Sequence, residues 1–248
     1  MASQTARPEV PLRLPGRLPR REITVPILMY HRINVPAPGA SPITRGLTVH
    51  PADFARQMRW LKRHGYRTVT QRALFEALFR GRRLGPKPIV ITFDDGYQDL
   101  FYKASPVLAR LGMRATAYVI SGRTTGSDRT FLTWRLLRAL ERRGIEIGSH
   151  TVTHCDLTSL SDHEALRELV QSRRALERRL RHSVQWFAYP FGAYDARVER
   201  LARQAGYVLA VTTEYGAVHS ARRPLALRRI RVLDSTGVAG LAAMLGPR

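Results

Sequence analysis

Short apolar runs rich in β-branched residues alternate along the chain with longer stretches in which apolar residues recur every three or four positions. The runs fall at residues 23–30, 89–93, 115–120, 145–148, 185–189, 207–211 and 229–232. Their shortness and the turn formers around them predict strands. The stretches between them carry readable helix ends. Pro51 suits a first turn, and that helix should stop at Gly65 after residues 61–64. Thr70 can cap a helix ending at Gly81, and Ser161 with Glu164 makes a capping box ahead of a helix over 165–181. Regular alternation of this kind argues for an α/β fold with parallel strands, and seven strands suit either a barrel or a doubly wound sheet.

Two connections read as loops. Residues 34–46 hold Pro36, Pro38, Pro42, Gly39 and Gly46, and residues 123–129 form the second. Neither divides the chain, and no internal repeat is visible, so residues 23–248 are expected to form one domain. Residues 1–22 contain four prolines and five arginines and read as a basic, mobile tail.

Composition narrows the function classes. A hydrophobic content of 44%, with 18 Gly and 15 Pro in 248 residues, excludes disordered, collagenous and coiled-coil chains. Cys155 is the only cysteine, so an intramolecular disulfide and a cysteine-rich zinc site are excluded, and any metal falls to histidine and carboxylate. No apolar run of membrane-spanning length occurs, and no secretory leader is visible, which leaves a cytoplasmic location open. The formal net charge of +22 invites a nucleic-acid reading. Against it, the only lysines are Lys62, Lys87 and Lys103, and the arginines are spread over nearly every expected helix. No specific nucleic-acid partner is therefore expected, while electrostatic attraction to an anionic cell surface stays open.

Candidate chemistry sits where strands end. Thr92-Phe93-Asp94-Asp95-Gly96 places two adjacent carboxylates after one run, where one can hold a metal and the other accept a proton, although an ordinary Asp-Gly turn reads equally well. His150 and His154 follow another run and converge on one ion if the stretch is helical or tightly turned. Taken alone, one capping and one exposed histidine is the simpler reading. Together with the carboxylates they make a two-histidine, one-carboxylate set with open positions, which is a catalytic arrangement. Phe187-Ala188-Tyr189-Pro190-Phe191-Gly192 ends a third run in a turn whose backbone N–H suits an oxyanion. His31 closes the first run, at Ile27-Leu28-Met29-Tyr30-His31. Trp134 and Trp186 could stack on sugars, with core packing the simpler role for each.

With these motifs in this order the chain resembles the polysaccharide deacetylase family, the NodB-homology domain of carbohydrate esterase family 4, over about residues 23–232. Thr92–Gly96 matches its first motif, His150–His154 its second, and Tyr189-Pro190-Phe191-Gly192 part of its third. The resemblance implies a distorted (β/α)7 barrel. It also implies Asp95, His150 and His154 as metal ligands, Asp94 as general base, and the Phe191 N–H in the oxyanion hole, with Tyr189 and Pro190 at the substrate. The ion implied is divalent, zinc first, with cobalt or manganese as alternatives. Two departures stand out. Ala188 occupies the place of a family arginine that pairs with the base, so Arg229 on a later strand is the substitute cation at the substrate site. The usual C-terminal Leu-x-His motif is absent, and the Met29-Tyr30-His31 strand resembles its counterpart in circularly permuted members similar to poly-N-acetylglucosamine deacetylases. His31 then becomes the general acid, with His219, on an expected loop, as runner-up.

The activity implied is metal-dependent removal of N-acetyl groups from an N-acetylglucosamine polymer, whether exopolysaccharide, peptidoglycan or chitin-like, in the cell envelope or outside the cell. A carbohydrate-binding pseudoenzyme, a basic nucleic-acid binder and a non-haem iron oxygenase are the alternatives.

Overall fold

In the computed structural model, residues 11–246 are described. Seven strands close into a barrel: β1 (Ile27–Tyr30), β2 (Pro88–Phe93), β3 (Ala115–Val119), β4 (Ile145–Ser149), β5 (Trp186–Ala188), β6 (Leu209–Tyr215) and β7 (Leu227–Arg231). Each pairs in parallel with its neighbours in chain order, and β1 closes the ring between β7 and β2. Between β4 and β5 the register holds at Ser149 and Phe187, and it shifts between Val211 and Tyr215 where β6 meets β7. These are the distortions of the expected (β/α)7 barrel, and all seven expected strands are present. Among the described residues eight α-helices accompany them: α1 (Pro42–Gly46), α2 (Pro51–Arg63), α3 (Gln71–Arg80), α4 (Ser105–Leu111), α5 (Trp134–Arg142), α6 (Asp162–Leu180), α7 (Ala196–Gln204) and α8 (Val238–Leu245).

The core follows from the two-residue period of a strand. Ile27, Val90, Tyr118, Trp186, Ala188, Val211 and Leu227 gather in one apolar cluster, joined by Leu74, Phe75 and Leu78 of α3. Their alternates Leu28, Ile91, Ala117, Ile147 and Ile230 pack outward with Phe54 and Met58 of α2 and Leu137 and Leu140 of α5. Both faces are covered, which is why the runs read as continuous apolar segments. Helix ends fall where the caps put them. Thr70 accepts from Ala73 N, α3 ends on Gly81 at φ 72°, and Ser161 and Glu164 form the full capping box of α6.

Several local differences have physical causes. The run at 23–30 is broken at Val25-Pro26, since proline has no N–H for a ladder. Glu22–Thr24 pairs instead, antiparallel, with Val218–Ser220. His219 therefore stands in a short strand and is buried, with its Nε2 2.8 Å from Val25 O, and not on a loop. The 34–46 connection contains α1, started by Ser41 as cap and Pro42 in the first turn. Of the tail 1–22, residues 1–10 lie outside the described residues. Leu12 is buried and exchanges two hydrogen bonds of 2.7 Å with the Gln185 side chain, so this part is packed on the barrel.

Candidate active site

The C-terminal ends of the barrel strands bring the candidate residues to one mouth. Asp94 continues β2, its N–H bonded to Tyr30 O of β1. The chain then turns at once: Asp95 has φ 69° and Gly96 φ 79°. A Cβ at Gly96 would stand 3.2 Å from Val119 Cγ1, so glycine answers both the dihedral and the close approach of β3. His150 follows β4, its N–H bonded to Val119 O.

Asp95 Oδ1 lies 3.4 Å from His150 Nε2 and 3.3 Å from His154 Nε2. His150 Nδ1 stands 2.7 Å from Ala188 O, which can only accept, so Nδ1 carries the proton and Nε2 presents a lone pair. Asp95 Oδ1 is buried without a hydrogen-bond partner. Ligands held ~2.0–2.2 Å from a tetrahedral ion stand about 3.4 Å apart, which both Asp95–histidine distances match, and with all three atoms within 4.8 Å of one another the trio has the donor set of a divalent-metal site. The electrostatics agree. Burial raises the Asp95 carboxyl, but the His150 and His154 rings that face it override this and hold it well below the usual range. Burial lowers His150, yet Asp95 reverses the direction and raises it. The point where the three groups meet favours positive charge.

His150 and His154 are joined by a tight turn rather than a helix, with Thr151 at φ 64° and His154 at φ 67°. Such left-handed residues are strained unless their surroundings fix them. Here α6 does so. Glu168 accepts from Val152 N at 2.8 Å, Thr153 N at 3.0 Å and Thr153 Oγ1 at 3.2 Å, and one turn on, Ser172 Oγ donates to Thr151 O at 2.9 Å. No sequence signal marks either residue, because a glutamate and a serine on an amphipathic helix look like solvent-face positions.

Arg229 makes the contact expected of the cation that replaces the family arginine. Its Nη1 and Nη2 donate to Asp94 Oδ1 and Oδ2 at 2.7 Å each, its Nε to Thr212 O at 2.8 Å, and Nη1 also to Thr92 Oγ1 at 3.2 Å. At 1% exposure it is a partner of Asp94 and offers no surface to substrate, which corrects that part of the expectation. Burial raises the Asp94 carboxyl, and the Arg229 charge and hydrogen bonds outweigh it, leaving Asp94 lowered.

His31 is half-buried at the end of β1, and its buried Nδ1 has no protein partner. Burial lowers its pKa, against the opposing pull of the Asp94 and Asp95 carboxylates. His219 is remote from this mouth in its bonding, tied to Val25. Phe191 has φ 59° and an exposed ring whose centroid lies 4.7 Å from that of His154. The following Gly192 admits no side chain, since a Cβ would come 2.1 Å from Thr213 Oγ1. Tyr189 and Pro190 are buried. The Tyr189 ring stacks on Tyr194 and meets Phe187 edge-on in the helix layer, so its side chain cannot meet substrate, a second correction that follows from strand parity. Trp186 is buried in the barrel cluster and the partly buried Trp134 packs against the helix layer, both as packing residues.

Comparison with known proteins identifies the family. The family described as polysaccharide deacetylase matches residues 81–210. YxkH of Bacillus subtilis, named for the same activity, is 34% identical over 218 residues, covering 88% of this chain and 74% of its own. The Streptococcus pyogenes deacetylase PplD, solved in complex with acetate, superposes with a TM-score of 0.84 at 30% identity, over 92% of this chain and all of that one. A poly-β-1,6-N-acetyl-D-glucosamine N-deacetylase of Staphylococcus aureus is 22% identical over 241 residues, 89% of this chain and 82% of its own. A family match across half the sequence, and relatives aligned along nearly all of it, make this chain a member of the polysaccharide deacetylase family.

Proposed function

We propose that the protein is a metal-dependent hydrolase that removes N-acetyl groups from an N-acetylglucosamine-containing polysaccharide and releases acetate. The observation that carries this reading is the convergence of Asp95 Oδ1, His150 Nε2 and His154 Nε2 beside a separate, ion-paired carboxylate, Asp94. A divalent ion held by that trio, zinc by preference of its ligands and cobalt or manganese as alternatives, would supply Lewis acidity and a water of pKa near ~7.

The remaining roles belong to the chain. Asp94 takes the proton as water attacks the acetamide carbonyl. Arg229 keeps that carboxylate ionised and aimed, and each Asp94 oxygen retains a lone pair beyond its bond to the guanidinium. The left-handed turn at Phe191 presents its N–H to the tetrahedral oxyanion, where one such donor is typically worth about 3 to 4 kcal/mol. His31, with Nδ1 free of protein partners, gives a proton to the departing amine. One C–O bond forms, the amide C–N bond breaks, and acetate and a sugar amine leave.

The relative with a poly-β-1,6-N-acetylglucosamine name and the Met29-Tyr30-His31 strand favour an exopolysaccharide of that type. Such a polymer lies in the cell envelope or outside the cell, and among the described residues no helix is long and apolar enough to cross a membrane. The pseudoenzyme alternative rested on Ala188, and the Arg229–Asp94 pair speaks against it by offering the base a cation. Acetate release from N-acetylglucosamine oligomers, abolished by chelator and restored by added zinc, cobalt or manganese, tests the reading. Release undiminished by chelation, or none with any ion, overturns it.

A further inference from the structure

Beside Asp95 the chain builds a four-layer stack. The Arg32 guanidinium lies 4.5 Å over the Tyr97 ring, Tyr97 and Phe131 stack with centroids 5.1 Å apart, and the Arg123 guanidinium lies 4.8 Å over Phe131. The backbone fixes this order. Leu132 N–H donates to Gly96 O at 2.8 Å and Gln98 N–H to Thr130 O at 2.9 Å, so the segment after Asp95 and the loop returning from β3 zip together antiparallel. Asp99 anchors the inner cation, accepting from Arg32 Nε and Ile33 N at 3.1 Å each. The stack adjoins the ion-binding trio, since Tyr97 stands two residues after Asp95 and its bridge to Phe131 begins at once beyond the Gly96 turn.

A neutral sugar would use bare ring faces. These outer faces are already covered by guanidinium groups, which a ring holds without consuming any N–H donor. Arg123 is exposed and has no ion-pair partner among the described residues. The carboxylate in its own loop, Asp128, accepts from Thr130 N at 2.8 Å and feels the Arg123 charge without an ion pair to it. What the stack offers a ligand is therefore a pre-oriented fork of cationic donors, which suits phosphate or carboxylate oxygens.

We infer that the polysaccharide acted on carries anionic groups next to the reacting N-acetylated sugar, and that Arg123 is the specificity-determining residue that binds them. The inference rests on the deacetylase reading and, within it, turns from the neutral poly-N-acetylglucosamine type to a polymer that carries negative charge. The test compares acetate release, as kcat/KM, from a neutral N-acetylglucosamine oligomer, an oligomer of equal length bearing carboxylates, and one bearing phosphodiesters, using the full chain supplied with zinc. The charged substrates should be favoured by about tenfold at low salt, and the preference should shrink as ionic strength rises. Arg123→Gln should bring the charged-to-neutral ratio close to one, and Arg123→Lys should keep part of it; the better of the two charged substrates names the group. Equal kcat/KM for neutral and charged oligomers, or an unchanged ratio in Arg123→Gln, overturns the inference and leaves deacetylation standing. Acetate from none of the three overturns both.

Discussion

Arg229 on β7 grips Asp94 at the end of β2 through two parallel hydrogen bonds of 2.7 Å, reaching past the intervening β1 strand in a fully buried pair. The contact fills the role that Ala188 leaves open, so the cation that steadies the proposed base arrives from a different strand. Removing one partner of such a pair leaves the other charged and buried, at a cost of about 3 to 5 kcal/mol. Arg229→Gln should therefore unfold several degrees earlier in a thermal melt. Because the arginine lowers the Asp94 pKa, its loss should also move the acidic limb of the activity profile to higher pH. An unshifted limb would detach Arg229 from the base.

Glu168 is expected to act through the His150–His154 turn. Glu168→Ala frees the N–H groups of Val152 and Thr153, and loss of an outer support of this kind typically weakens metal affinity ~10–100-fold. Chelator-competition titration reads this directly, with a melting curve as control for simple destabilisation. Glu168→Gln, which keeps one carbonyl acceptor, should fall between.

His219 sets an acid limit on stability. Burial lowers it to about 4 against an ordinary value of 6.5, with the bond to Val25 O opposing and Arg228 adding to the shift. Its Nδ1 is buried without a partner, so protonation adds a charge that nothing accepts. The unfolded chain then binds more protons than the folded one between pH 6.5 and 4. Stability should be unaffected above 6.5, fall by up to about 1.4 kcal/mol per pH unit through that window, and level off below it. Urea titrations of wild type and His219→Gln across the window check this; the variant should show a flatter slope.

How much of this was legible in the sequence depends on how local the cause is. The strands showed because both faces are buried and the runs are apolar. Their ends did not show where polar residues carry a strand on: β6 runs to Tyr215 through Thr212, Thr213 and Glu214, which apolar patterning excludes. Asp94, Asp95, His150 and His154 were legible because each pair sits within five residues. Arg229 was legible only as compensation for Ala188. Tyr189 misled because its place at a strand end suggested the mouth, while alternation turns its ring to the helices. Glu168, Ser172 and the Arg32–Tyr97–Phe131–Arg123 stack depend on tertiary approach and leave no local trace.

The proposed hydrolysis depends on one divalent ion shared by Asp95, His150 and His154, with Asp94 apart from it. Metal content measured alongside acetate release tests it most directly. Wild type should bind one equivalent and turn over, Asp94→Asn should bind one equivalent and fail to turn over, and His150→Ala should lose both. A His150→Ala protein that still holds a full equivalent, or an Asp94→Asn protein with wild-type turnover, would contradict the account.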